Sequence, residues 1–307
     1  MSHAQSPARP AGGFDTLITP RQLMDLQQSG ARVMVFDCSF DLTNPAAGEE
    51  QYRSLHIAGA VYANLDHDLS DAGVVGADGV KRPHPDAASG GRHPLPSREK
   101  FAMWLSRVGF ANDMQAVVYD RQGANFCGRL WWMLKWAGHE AVAVLDGGLQ
   151  GWQAEGGAVA SGVEPARFQT NFAVGAPLRQ LVTVEQVQRQ LGSDAQTLVD
   201  ARAVPRYRGE VEPLDPVAGH IPGALNRPFG QNLDAQGRFK PAEVLREEFS
   251  ALLAGRDPAT VVHQCGSGVS ALPNLIAMEL AGFGPTGLFA GSWSEWCRDP
   301  SRPVEKG

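Results

Sequence analysis

One cysteine of this sequence stands in a setting that suits a nucleophile. A β-branched apolar run that begins at Val261 predicts a buried strand, and it stops at Cys265. Gly266 and Gly268 let the following loop curl, and a helix-like stretch at 271–280 comes next. A helix leaves its first N–H groups unpaired, so several backbone dipoles face the sulfur and favour the thiolate, which is the nucleophilic form. Most free cysteines are small core side chains, but this order of elements predicts a reactive one.

The elements that must position this cysteine occur twice in the sequence. Each half contains a buried strand, a His-Ile turn, a second strand, a helix and a Gly-rich turn that leads to tryptophan. These pieces are 32–37, 56–60, 116–120, 130–137 and 146–152 in the first half, and 197–202, 219–224, 260–264, 272–281 and 291–296 in the second. Short strands that alternate with amphipathic helices predict an α/β fold, with a mainly parallel central sheet flanked by helices in each half.

The repeat predicts two tandem domains joined by a linker. We expect an N-terminal domain at 14–153, a linker rich in Gly, Ala and Pro at 154–179, and a C-terminal catalytic domain at 180–303. An ungapped alignment of the two halves on their tryptophans sets Arg121 against Cys265, so the first copy has no nucleophile there. The N-terminal domain is therefore predicted to be catalytically degenerate.

Composition excludes several classes of protein. The chain has 307 residues, of which 43% are hydrophobic, enough for two cores, and its net charge of −6 argues against nucleic acid or an anionic membrane as partner. The first twelve residues lack the apolar core of a signal peptide, which predicts a disordered lead-in to a cytoplasmic protein. Four scattered cysteines without C-x-x-C spacing predict reduced thiols, no zinc site and no cofactor.

The duplicated architecture, with its cysteine loop in the second copy alone, resembles the tandem rhodanese-domain sulfurtransferases. The resemblance covers about 17–303, and it implies two rhodanese-like domains. The heptapeptide CGSGVSA that starts at Cys265 is similar to the CGSGVTA loop of the 3-mercaptopyruvate sulfurtransferases, with Ser270 in place of threonine. Thiosulfate sulfurtransferases of the family carry basic residues in this loop, which suit a doubly charged inorganic anion. Here Gly266 and Ser267 are uncharged.

The resemblance implies a persulfide enzyme that works by a ping-pong mechanism. Cys265 would take sulfur from 3-mercaptopyruvate and release pyruvate, and a thiol such as thioredoxin or glutathione, or cyanide, would then accept the sulfur. Backbone N–H groups of the loop would stabilise the negative charge of the thiolate and of the persulfide, and the predicted substrate-binding residues of the loop are Gly266, Gly268, Val269 and Ser270. Two alternatives stay open: a thiosulfate:cyanide sulfurtransferase, and a persulfide carrier that is not an enzyme.

The family's relay of serine, histidine and aspartate maps onto Ser267, His93 and Asp66. A hydroxyl aligned by an imidazole would manage the proton of the substrate thiol, and the aspartate would set the imidazole tautomer. The alternative is that His93 only makes a hydrogen bond within its Pro-rich loop and that Asp66 only caps a helix.

The carboxylate of a keto acid needs cationic partners. Arg206 matches the arginine that the family uses, because a guanidinium offers a two-pronged hydrogen bond to a planar carboxylate. Many relatives have a second arginine a few residues later, but 212–217 contains none. Arg208 is one candidate, and Arg121 or Arg129 of the first half are others. The alternative for Arg208 is an exposed charge that pairs with Glu210.

Overall fold

The chain passes from a first unit to a second and back before it ends in the second. The computed structural model describes residues 13–71, 73–75, 81–82 and 84–307, so the predicted disordered lead-in lies outside the described residues. The first unit comprises Met1–Leu69 and Ser97–Leu178, and the second comprises Ser70–Pro96 and Arg179–Gly307. This division differs from the predicted domains, since 70–96 belongs to the second unit and most of the predicted linker to the first.

Short strands and helices alternate throughout the described chain. The strands are β1 (Leu17–Ile18), β2 (Val33–Asp37), β3 (His56–Ile57), β4 (Val61–Tyr62), β5 (Val74–Val75), β6 (Lys81–Arg82), β7 (Gln115–Tyr119), β8 (Val142–Leu145), β9 (Val159–Ala160), β10 (Gln180–Leu181), β11 (Thr197–Asp200), β12 (Leu225–Asn226), β13 (Val261–Gln264) and β14 (Gly287–Leu288). The α-helices are α1 (Pro20–Gln28), α2 (Ala47–Ser54), α3 (Arg98–Arg107), α4 (Cys127–Trp136), α5 (Gly148–Ala154), α6 (Val184–Arg189), α7 (Val204–Tyr207), α8 (Ala242–Leu253), α9 (Leu272–Leu280) and α10 (Ser292–Trp296). Two short 3-10 helices lie at Phe229–Asn232 and Pro258–Thr260.

Each unit is built on one five-stranded parallel sheet, and the two sheets have the same strand order. The order is β1-β8-β7-β2-β4 in the first unit and β10-β14-β13-β11-β12 in the second. The central strands β7 and β13 are buried along their whole length, as expected when helices cover both faces of a parallel sheet. The predicted α/β fold class, with a mainly parallel sheet in each of two copies, is confirmed.

The two copies also share local signals. The first helix of each sheet unit, α1 or α6, begins with a capping box in which a threonine and a glutamine exchange hydrogen bonds: Thr19 with Gln22, and Thr183 with Gln186. Among the helices of the described residues, none has the length and apolar character needed to cross a bilayer.

The strand register corrects the alignment of the two copies. Tyr119 is the last residue of β7 and pairs with the last residue of β2, while Gln264 is the last residue of β13 and pairs with the last residue of β11. The residues that follow, Asp120 and Cys265, are therefore equivalent, and the predicted match of Arg121 to Cys265 was wrong by one position. The connection from β13 to β14 is one residue shorter than that from β7 to β8, which an ungapped alignment does not allow.

Candidate active site

Cys265 lies directly after the central strand β13, at the carboxyl edge of the second sheet. Its side chain is buried, its N–H donates to Ser292 Oγ at 3.1 Å, and its carbonyl accepts from the Trp293 N–H at 3.0 Å. Ser292 has a φ of +54°, which is rare for a residue other than glycine, and the first copy has Gly148 at this place with a φ of +56°. A serine held in this conformation therefore supports the cysteine backbone, and sequence reasoning missed it.

The predicted substrate-binding residues Gly266, Gly268, Val269 and Ser270 form the turn that joins Cys265 to α9. Gly268 has a φ of +72°, and a Cβ at this position would lie 2.1 Å from the Ala290 carbonyl oxygen. Only glycine fits there without a shift of the backbone. The Gly266 carbonyl accepts from the Ser294 N–H at 2.8 Å, so the turn is tied to the start of α10.

The equivalent loop of the first copy binds a carboxylate. The Asp120 carboxylate, at the position equivalent to Cys265, is buried. It accepts hydrogen bonds from four backbone N–H groups, at 2.8 to 3.1 Å, of Gln122, Ala124, Phe126 and Cys127. The converging N–H groups make this loop an anion site, which the first copy fills with its own side chain.

Because four backbone N–H groups, three of them buried, donate to one carboxylate, Asp120 is expected to matter for folding. Asp120→Ala should lower the free energy of unfolding by about 3 kcal/mol, since each donor loses its partner without gaining water. Urea denaturation of the full chain, followed by tryptophan fluorescence, measures this. Asp25→Ala, on the exposed side of α1, is the matched control and should leave the midpoint in place. Equal midpoints for both variants would contradict the proposed role of the carboxylate.

Two members of the predicted relay come together in the second unit. His93 Nδ1 and Ser267 Oγ form a hydrogen bond of 2.7 Å, and both side chains are buried. Asp66, the third predicted member, belongs to the first unit, where its N–H donates to Asn64 Oδ1 at 2.8 Å.

A close contact between two loops delivers His93 to the cysteine loop. The preceding residue, Arg92, donates its N–H to Ser294 Oγ at 2.9 Å. Gly91 has a φ of +87°, and a Cβ there would lie 2.5 Å from the Gly291 carbonyl oxygen. The segment 89–96 therefore packs directly on the turn that also binds the Cys265 loop.

Arg206, the predicted carboxylate ligand, stands over the Cys265 loop. Its Nη2 pairs with Glu212 at 2.6 Å and with Asp215 at 3.3 Å. A Cβ built on Gly266 would lie 3.5 Å from Arg206 Nη1 and 3.2 Å from Arg92 Nη2. Two guanidinium groups thus flank one point beside Cys265, and sequence reasoning missed Arg92.

Arg202 adds a third cation, deeper in the unit. Burial opposes its charged form, but the carboxylates of Asp200 and Glu212 hold the pKa of the guanidinium above its usual value. Its guanidinium also stacks 4.8 Å from the ring centre of Trp293. Arg202 is thus held in the second unit by buried ion pairs and by the indole ring of Trp293.

The other arginines considered from the sequence have partners elsewhere. Arg208 is more than half exposed and its Nη1 lies 3.8 Å from Glu210, which is the surface pair foreseen as the alternative. Arg121 pairs with Asp37 in the first unit, and the buried Arg129 donates its Nε to the Leu69 carbonyl oxygen. The structure therefore does not bring Arg208 to the Cys265 loop.

Nothing in this arrangement has the form of a metal site. Within the described ranges, no group of three or more His, Cys, Asp or Glu side chains lies close enough to hold a metal ion. All four cysteines are buried and unpaired.

Comparison with known proteins decides the family. The family described as Rhodanese-like domain matches residues 19–155 and again 183–299. The chain belongs to the rhodanese family. Both the predicted family and the predicted pair of rhodanese domains are confirmed.

Several proteins that resemble this tandem rhodanese are named as sulfurtransferases. A Pseudomonas aeruginosa protein with the provisional name 3-mercaptopyruvate sulfurtransferase is 45% identical over 93% of this chain and 98% of its own. A Mycobacterium tuberculosis protein with the provisional name thiosulfate sulfurtransferase SseB is 37% identical over 95% of this chain and 97% of its own. The structure of 3-mercaptopyruvate sulfurtransferase from Leishmania major superposes with a TM-score of 0.76, at 27% identity, and covers 94% of this chain and 76% of that one.

Proposed function

We propose that this rhodanese transfers sulfur from 3-mercaptopyruvate to a thiol or to cyanide through a persulfide on Cys265. The observation that carries the proposal is the hydrogen bond between His93 and Ser267 in the cysteine loop. Such a pair handles a proton, and 3-mercaptopyruvate has a thiol proton that must move during the reaction. Thiosulfate is a dianion at neutral pH and gives this pair no proton to handle.

The first half-reaction balances with this single proton. The Cys265 thiolate attacks the donor sulfur, and the carbon–sulfur bond breaks with its electron pair going to carbon, which leaves the enolate of pyruvate. The proton from the donor thiol passes by way of Ser267 and His93 to that carbon and gives pyruvate. The negative charge now lies on the outer sulfur of the persulfide, where the N–H groups of the loop stabilise it.

The second half-reaction returns the enzyme to its starting state. A thiolate or cyanide attacks the outer sulfur and Cys265 leaves as the thiolate, so no redox cofactor is consumed. Small thiols such as glutathione, or a protein thiol such as thioredoxin, fit this chemistry, and we place the reaction in the cytoplasm. The role of Asp66 in orienting the imidazole rests on the sequence resemblance alone.

The donor is tested by comparing kcat/KM for 3-mercaptopyruvate and thiosulfate with the same acceptor. We expect 3-mercaptopyruvate to be preferred by about 100-fold, the usual contribution of a positioned proton-transfer pair. A preference for thiosulfate would make the chain a thiosulfate:cyanide sulfurtransferase. One persulfide per chain without turnover on any acceptor would make it a carrier.

A further inference from the structure

We infer that Arg92 binds the donor's carboxylate together with Arg206, in place of the second arginine that 212–217 lacks. The inference rests on the proposed function, since it names the group that fixes the organic end of the donor. It was not accessible from sequence spacing, because Arg92 is 174 positions before Gly266.

Arg92 and Arg206 lie beside the same point of the Cys265 loop. A Cβ atom built on Gly266 would lie 3.2 Å from Arg92 Nη2 and 3.5 Å from Arg206 Nη1. Cys265 is the adjacent residue, and 3-mercaptopyruvate separates its carboxylate from its sulfur by only two carbon atoms. A donor whose sulfur meets Cys265 therefore places its carboxylate within reach of both guanidinium groups.

Arg92 is held in place by an ion pair and by a backbone hydrogen bond. Its Nη1 pairs with Asp215 Oδ1 at 2.7 Å, which turns Nη2 toward Gly266, and its backbone N–H is fixed by Ser294. Its Nε is buried and makes no hydrogen bond in the structure. The guanidinium is thus preorganised and still has donors to offer, which suits a carboxylate.

The two arginines are more exposed than the carboxylates that they pair with. The side chains of Arg92 and Arg206 are 26% and 19% exposed, whereas those of their partners Asp215 and Glu212 are 5% and 3% exposed. The two guanidinium groups are therefore the more exposed members of these ion pairs, and the carboxylates that hold them are enclosed. Burial raises the pKa of Asp215, and Arg92 opposes that shift, as expected for a carboxylate enclosed beside a cation.

The segment 89–96 then supplies both the carboxylate ligand and the proton-transfer residue of the donor site. Arg92 and His93 are consecutive, so the contact that brings the imidazole to Ser267 also brings the guanidinium to Gly266. Carboxylate binding by Arg92 places the donor's thiol beside the residues that move its proton. We expect substrate affinity to depend on Arg92 and proton transfer to depend on His93.

The test compares Arg92→Gln with Arg208→Gln, which removes an exposed charge, and uses binding as well as turnover. Pyruvate, the carboxylate product, should protect Cys265 of the wild type from alkylation by iodoacetamide. In Arg92→Gln, both the KM for 3-mercaptopyruvate and the pyruvate concentration that gives half-protection should rise at least about ten-fold, the effect of losing a charge-assisted hydrogen bond. Arg208→Gln should behave as the wild type, and removal of sulfur from preformed persulfide by dithiothreitol should be equal in all three.

Failure of the proposed function and failure of this inference would give different results. If the wild type releases no pyruvate from 3-mercaptopyruvate but pyruvate protects it and not Arg92→Gln, the proposed function fails and the carboxylate site stands. If pyruvate does not protect the wild type, or if Arg92→Gln matches Arg208→Gln, the inference is overturned. Asp215→Asn removes the carboxylate that orients Arg92, so it should raise the same two quantities, but by less than Arg92→Gln, because the guanidinium and its charge remain.

Discussion

Replacing Cys265 by serine is expected to reduce sulfur transfer from either donor by at least about 10⁴-fold, since the covalent route is lost. In the wild type, incubation with donor should add about 32 Da to the intact protein, the mass of one persulfide sulfur. Cys265→Ser should show no such addition by mass spectrometry. An adduct that persists in this variant would show that the nucleophile is another residue.

Cys297→Ser is the matched control, because this residue lies in the same unit and is also buried. Burial raises the pKa of the Cys297 thiol, and burial together with nearby carboxylates raises the pKa of Cys38 and Cys127 well above the usual value. These three cysteines stay protonated at neutral pH and lack nucleophilic character. Cys297→Ser should therefore retain both the mass addition and the turnover of the wild type.

The second large effect is expected at the hydrogen-bonded pair of Ser267 and His93. Ser267→Ala and His93→Gln should each lower kcat for 3-mercaptopyruvate by about 100-fold, because each removes the path for the thiol proton. The double variant should be no worse than either single one, since the two side chains act as one unit. Turnover of thiosulfate, which brings no thiol proton, should change far less.

His67→Gln, an exposed histidine of the first unit, controls for a general effect of losing an imidazole. Steady-state rates with both donors on the same protein preparations provide the comparison. Equal losses for 3-mercaptopyruvate and thiosulfate would assign the pair a structural role. Additive losses in the double variant would show that the two residues act independently.

Much of the fold could be predicted from the sequence, because its signals are local. Periodic apolar residues define β7 and β13, capping boxes start α1 and α6, and a Gly-rich turn precedes each final tryptophan. These patterns repeat, so one copy supports the interpretation of the other. The exception was the alignment of the two copies. The connection between β13 and β14 is one residue shorter than its counterpart, so the alignment paired Cys265 with Arg121 and not with Asp120.

The candidate site also contains residues that could be predicted from the sequence and residues that could not. Cys265 and its glycines could be predicted because the strand, turn and helix that position them are adjacent in sequence. Arg92 and Ser292 could not, since their roles depend on contacts with residues far away in the chain. Ser292 also has the backbone conformation of a glycine, which its residue type does not predict.

By itself, the sequence determined the repeated α/β fold and the family, and it predicted the Cys265 loop, because each of these depends on residues that are neighbours in the chain. Only the tertiary structure decided that 70–96 folds with the second unit, that Asp120 fills the degenerate anion site, and that Arg92 faces Gly266. The physical reason is that an ion pair or a hydrogen bond is specified by position in space. Chain separation sets no limit on such contacts once the sheet and its loops are in place.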